Sequence, residues 1–176
     1  YNEDSWNIIK LDRKSIRKYI DMVELVPNFW KIQSIASRSD ILRINLLRKY
    51  DNSVWVDATT FCTKPLNTWL SAYNDFFAFS NPSKDKLVSS WFLYSKKTNY
   101  IVNKWCDTYN AYWTNRLKPE NYFQFHLIFN DLYANDSKFK SLWDKVKHIP
   151  AQIPHKLKYK EKYDEFIPKD ILTHIV

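Results

Sequence analysis

The segment that runs from Ser39-Asp40-Ile41-Leu42-Arg43 through Leu46-Leu47 and Tyr50-Asp51-Asn52-Ser53 to Val54-Trp55-Val56-Asp57-Ala58-Thr59 changes its apolar period part-way. Leu42, Leu46, Leu47 and Tyr50 recur at helical spacing, with Ser37 or Ser39 as N-cap and Asp40 in the first turn, where the helix dipole favours an anion. Asp51-Asn52-Ser53 supplies a turn, and the β-branched and aromatic run Val54-Trp55-Val56 reads as a buried strand with Asp57 at its carboxyl end. In open α/β sheets ligands bind outside the carboxyl ends of the strands, so Asp57 is either placed for chemistry or is simply the cap of the next turn.

Outward from this block, Trp6 to Leu11 reads as a short strand, and the Pro27-interrupted run from Val23 to Trp30 as a turn leading into the helix. Phe76 to Phe79 and Ser90 to Tyr94 are strand candidates joined as a hairpin through the turn Asn81-Pro82-Ser83. Helices are expected over Asn99–Trp113, Tyr122–Tyr133 and Ser137–Lys145, the first with a core-facing stripe of Ile101, Val102, Trp105, Tyr109, Tyr112 and Trp113. Pro150, Pro154, Lys156 to Lys162 and Pro168 make the end of the chain a proline- and lysine-punctuated surface segment. The organisation expected is one α/β domain over 1–157 and a basic, proline-containing tail over 158–176.

The chain has 176 residues, 45% hydrophobic and 18% aromatic, enough apolar surface to build one folded core and to exclude disorder. It contains no glycine. Phosphate-binding loops of the P-loop, dinucleotide and kinase types all need glycine for tight turns and close backbone approach, and the GxSxG elbow of α/β-hydrolases needs it too. None of these is available here. Cys62 and Cys106 lie far apart with no CxxC pair, so a zinc module is not expected; both read as reduced, buried thiols of a cytoplasmic protein. The longest apolar runs, such as Phe76-Phe77-Ala78-Phe79, fall far short of the ~18–20 residues that cross a bilayer.

Asp40 and Arg43 are three apart and share one helical face, and a helix-to-strand turn can bring Asp57 back towards it. Spacing alone leaves two readings: part of a site, or an exposed helix ion pair worth ~0.3–0.5 kcal/mol. In order, however, Ser39-Asp40-x-x-Arg43, Leu46-Leu47-x-x-Tyr50, Val54-Trp55-Val56-Asp57-Ala58-Thr59 and Pro65-Leu66 resemble the capsular polysaccharide synthesis family of glycosyltransferases. That family is related to the DxD-type sugar transferases of GT-A fold, with pattern SDxxRxxxLxxxGGxYxDxD followed by Pro-Leu. The resemblance covers roughly Trp6 to Leu157 and is sharpest from Ser37 to Leu66.

The resemblance implies a GT-A-like, Rossmann-related mixed sheet flanked by helices, a nucleotide-sugar donor and Mn²⁺ or Mg²⁺. It implies that Ser39, Asp40, Arg43 and Asp57 bind the donor, that Asp57 reaches the metal with Thr59 beside it, and that His155 is a late metal or diphosphate contact. A leaving nucleoside diphosphate gathers negative charge, which a hard cation and a planar guanidinium neutralise. This sequence departs from the pattern in three ways. Asn52-Ser53 replaces the Gly-Gly pair, Thr59 replaces the second Asp of DxD, and the family's first strand-helix unit is not seen ahead of Tyr1, so the domain is expected to be incomplete there.

Ser90 and Trp91 are candidates for the acceptor side, set against a buried strand tryptophan; His126 is likewise either an acceptor-side residue or a core histidine. No catalytic base is assigned, although Asp75 and Asp85 flank the strands. The expected activity is sugar transfer to a glycan or lipid-linked acceptor in capsular or surface polysaccharide synthesis. With a net charge of +8, the tail Lys156-Leu157-Lys158-Tyr159-Lys160 either meets the inner face of the membrane or is a solvated face. Two other functions compete: a nucleic-acid binder, from positive charge plus 8 Trp, 12 Tyr and 11 Phe, and a degenerate, non-catalytic sugar-binding domain. The lysines are spread along the chain rather than gathered in one stripe, so no nucleic-acid partner is expected.

Overall fold

The computed structural model describes residues 2–62, 64–155 and 173–174. In α1 (Met22–Leu25) the Asp21 carboxylate accepts from the Val23 and Glu24 amides. In α2 (Ile35–Lys49) the Ser34 hydroxyl accepts from the Ser37 amide. Each cap satisfies amides that the first helical turn leaves open. The N-cap is therefore Ser34 and not Ser37 or Ser39, which lie inside the helix, because Ser34 has the extended backbone (φ −78°, ψ 116°) that a cap requires. Asp40 consequently sits in the second turn of α2, beyond the reach of the helix dipole. Arg48 and Lys49 occupy its last turn, where cations are favoured. Asn52 then takes φ 47°, a left-handed conformation that asparagine tolerates, so the chain reverses into a strand without glycine.

The strands are β1 (Ser53–Val56), β2 (Thr60–Phe61), β3 (Phe76–Ser83) and β4 (Lys86–Ser95). The main sheet has the order β1-β4-β3. Both of its pairings are antiparallel, with Val56 opposite Phe92 and Phe77 opposite Tyr94. The fold class is α/β as expected, but this sheet is small and antiparallel where a mixed sheet was expected. The hairpin between β3 and β4 forms, yet its turn is Lys84-Asp85, not Asn81-Pro82-Ser83. Asn81 (φ 49°) and Pro82 are absorbed as irregularities within β3, whose outer edge is met at Ser80 by Ile149 and Ala151. Proline is tolerated in such an edge strand because its missing N–H breaks no central ladder. Trp6 to Leu11 forms no strand: it has no pairing partner among the described residues, and Ile8 and Ile9 are exposed. A second, short pairing joins β2 to β5 (Thr173–His174).

Helices α3 (Tyr100–Trp113), α4 (Gln124–Asn135) and α5 (Ser137–Asp144) follow β4, and α6 (Gln152–His155) closes the described body. One face of the sheet, through Phe76, Ala78, Val88 and Leu93, packs on α2, α3 and α4. The other, through Phe77, Phe79, Phe92 and Tyr94, packs on Leu66, Leu70 and Tyr73. Burial on both sides explains why β4 reads as a continuous apolar run. The aromatic stripe of α3 is core, as expected: Trp105, Tyr109 and Trp113 are fully buried, and Tyr112 is partly so. Asn45 of α2 and Asn110 of α3 exchange side-chain hydrogen bonds of 2.9 Å in both directions, tying the two helices together. Cys62 and Cys106 are free thiols, and burial pushes Cys106 up to about 12, which makes it unreactive. Among the described residues no helix is long and apolar enough to cross a membrane.

Trp105 stacks on Phe125 with ring centroids 3.9 Å apart, and its indole nitrogen donates to the Phe125 carbonyl at 3.0 Å. Trp105→Ala is expected to cost ~3–5 kcal/mol, the scale for emptying a buried aromatic site, measured by urea denaturation. Trp105→Phe should cost clearly less; equal losses would show that the ring contact contributes little.

Candidate functional site

Three elements converge on one guanidinium. Ser39, Asp40 and Arg43 stand on α2, Asp57 follows β1, and Ser90 lies on the central strand β4. Arg43 Nη1 donates to the Ser90 carbonyl at 2.7 Å and lies 3.4 Å from Asp40 Oδ1. Arg43 Nη2 donates to Ser39 Oγ at 3.1 Å and lies 3.3 Å from Asp57 Oδ1. Its side chain is only 6% exposed. The reading of Asp40 and Arg43 as an exposed helix ion pair is thereby overturned: both are buried, and Arg43 joins two carboxylates from different elements. Breaking a buried ion pair by removing one partner typically costs ~3–5 kcal/mol, whereas an exposed pair is worth a fraction of that.

Trp55 completes the arrangement. Strand alternation puts Trp55 and Asp57 on one side of the chain, the Trp55 indole N–H donates to Asp57 Oδ1 at 2.6 Å, and the Arg43 guanidinium lies 5.3 Å from the Trp55 ring centroid. The Asp57 amide donates to the Trp91 carbonyl at 2.8 Å, extending the ladder by one residue. Sequence reasoning used Trp55 only as an apolar strand residue. Its i, i+2 relation to Asp57 was the available signal.

Burial pushes the Asp40 carboxyl from 3.8 to about 7; the neighbouring Arg43 charge opposes this and the Asp57 charge adds to it. The Tyr109 hydroxyl on α3, near Asp40 and Arg43, is also raised, chiefly by burial. Asp57 remains the outward group of the cluster, 29% exposed, and its contacts with Arg43 and Trp55 both fall on Oδ1.

His126, in the first turn of α4, is pushed down from 6.5 to about 4 by burial and by the charges of Arg43 and Lys86. It is therefore a neutral imidazole that feels the Arg43 charge, and its Nδ1 is buried without a hydrogen bond among the described residues. Ser90 takes part through its backbone carbonyl. The Trp91 ring is 4% exposed and stacked on Phe79 at 4.6 Å, so it presents no open face to a sugar, and the buried-tryptophan alternative describes it. Asp75 and Asp85 are exposed and paired with Lys96 and Lys86, away from Arg43. His155 ends α6, and its side chain lies outside the described residues, as does the tail from 156 to 160.

Among the described residues no three His, Cys, Asp or Glu side chains converge as a cation site. Asp57, with the exposed Thr59 two residues on, fits a divalent cation that brings most of its oxygen ligands from phosphates and water, the usual habit of Mg²⁺.

The family model described as capsular polysaccharide synthesis protein matches residues 1–174, essentially the whole chain. The chain belongs to the capsular polysaccharide synthesis protein family. No curated protein and no solved structure matches it. For this family member the cluster around Arg43 coincides with the block, Ser37 to Leu66, that resembles the family most sharply.

The two shifted groups give opposite pH dependences. Asp40, raised in the fold, contributes stability that is fully present below 3.8 and is lost as pH rises through about 7. His126, lowered in the fold, contributes stability present above 6.5 and lost as pH falls through about 4. Urea unfolding across this range should show Asp40→Asn gaining on the wild type as pH rises, and His126→Gln gaining as pH falls. The reverse slope in either variant would remove that group from the buried cluster.

Proposed function

We propose that this member of the capsular polysaccharide synthesis family is a glycosyltransferase that moves a sugar from a nucleoside-diphosphate sugar to a glycan or lipid-linked acceptor. The observation that carries this reading is the buried Arg43 held between Asp40 and Asp57, on the residues through which the sequence resembles the DxD-type transferases. Asp40 and Ser39 fix the guanidinium, Trp55 and Arg43 fix one oxygen of Asp57, and the Asp57 carboxylate faces outward to a donor. In this reading Asp57, with Thr59, holds Mn²⁺ or Mg²⁺, which supplies charge neutralisation for the leaving diphosphate. Arg43 adds a fixed positive charge behind that carboxylate, and His126 stays neutral beside it as a hydrogen-bond acceptor. A GT-A-like arrangement belongs to the same proposal. It is supported by a helix-turn-strand that delivers Asp57 at the carboxyl end of β1.

Weighing against the nucleic-acid alternative, the large aromatics Trp105, Trp113, Tyr109, Phe125 and Phe129 are buried in the core and offer no stacking surface, although Tyr122 and Phe123 are exposed. Thermal-shift measurements with UDP-, GDP- and CMP-sugars, with and without Mn²⁺, should show stabilisation by one donor that depends on the metal. Asp57→Ala should lower transfer by ~10²-fold or more, the scale of losing one electrostatic group in a transition state, with an unchanged circular-dichroism spectrum. Persisting transfer would overturn the role of Asp57. Donor binding without transfer would assign the chain as a sugar-binding domain, and stabilisation by no donor would reject the proposal.

A further inference from the structure

The segment Ile8-Ile9-Lys10-Leu11-Asp12-Arg13-Lys14-Ser15-Ile16-Arg17-Lys18 carries five basic residues against one acidic residue. Leu11 and Ile16 pack against the core and anchor it, while Lys10, Arg13, Lys14, Arg17 and Lys18 are all exposed. Its single acid does not offset them: the Asp12 carboxylate accepts from the Lys14 and Ser15 amides, closing a turn. Arg13 and Arg17 converge on one indole, their guanidinium carbons 5.4 and 5.9 Å from the centroid of Trp30. The exposed Lys31 is the next residue. Neither arginine has a carboxylate within ion-pair distance among the described residues. Two like charges gathered on one ring without a counter-ion make a place for an anion, and a planar guanidinium suits phosphate. Ahead of them in the same segment Ile8 is 63% exposed and Ile9 42%.

We propose that residues 8–18, with Trp30 and Lys31, form a docking face for an anionic lipid surface, in which Arg13 and Arg17 contact headgroup phosphates and Ile8 and Ile9 enter the acyl boundary. Two observations favour lipid over nucleic acid. Two guanidiniums lie 5.4 and 5.9 Å from the Trp30 centroid, so a stacking base would have to share the ring with them, and a pair of exposed isoleucines matches a bilayer's apolar layer, not a polynucleotide. The face is separate from the Arg43 cluster and stands whether or not the sugar-transfer reading does.

The test is sedimentation of the whole chain with phosphatidylcholine vesicles, with and without one-third phosphatidylglycerol. Binding should need the anionic lipid and weaken with salt. Each basic residue near an anionic surface is worth about fivefold in partitioning, so the double variant Arg13→Gln, Arg17→Gln should bind roughly 30-fold less. The single-site variants Ile8→Ser and Ile9→Ser should weaken binding at high salt, where charge is screened. The variant Lys156→Gln, Lys158→Gln, Lys160→Gln serves as the contrast. Binding lost in that tail variant and kept in the arginine variant would overturn the proposal. So would equal binding to neutral vesicles, or single-stranded RNA that competes the chain off anionic vesicles at equal ionic strength. Arg13→Lys, Arg17→Lys keeps the charge and should restore most binding, separating an electrostatic contact from a folding defect.

Discussion

A guanidinium removed from water must be given back its hydrogen bonds, and the two terminal nitrogens of Arg43 find partners from three elements at once, while its Nε is buried without a hydrogen bond among the described residues. It draws Asp40 and Ser39 from its own helix, Asp57 from the end of the first strand, and a main-chain carbonyl from the central strand. Because losing any one partner leaves a buried charge short of a contact, the register of α2 against the sheet is fixed by this residue as well as by apolar packing. The Trp55 indole adds both a donor to Asp57 and a ring beneath the guanidinium, so the strand end is held from two sides.

The electrostatics around Arg43 are graded with depth. Asp40, deepest, is raised to about 7 by burial, against the opposing charge of Arg43; Asp57 lies nearer the surface; His126, on α4, is held neutral by burial, to which the charges of Arg43 and Lys86 add. Burial therefore sets the protonation preferences of groups on two helices, with the Arg43 charge opposing it at Asp40 and adding to it at His126. Groups with shifted titration facing one cluster are what binding and catalytic sites commonly show.

Much of this was legible in the residues. The helical spacing of Leu42, Leu46 and Leu47, the compact run Val54-Trp55-Val56, the Asn99-capped helix and its aromatic stripe all appear where local pattern places them. The errors have local causes too. Ser37 and Ser39 resembled caps because serine is a good cap, but Ser34 has the extended backbone. Trp6 to Leu11 has strand composition without a strand to pair with. The hairpin turn moved to Lys84-Asp85 because β3 tolerates a left-handed asparagine and a proline at its edge.

Missing glycine, read directly from the chain, excluded the glycine loops that cradle phosphate with backbone amides, and put turns on residues such as asparagine, as Asn52 shows. The order of Ser39, Asp40, Arg43 and Asp57 likewise named the candidates. Tertiary structure alone decided their relation. Whether Asp40 and Arg43 formed a weak surface pair or a buried triad with Asp57 depended on how far α2 sinks against β4. That depth is set by the packing of Ile41, Ile44 and Leu47 against residues remote in sequence. Burial is a property of what covers a residue, and no local pattern carries it.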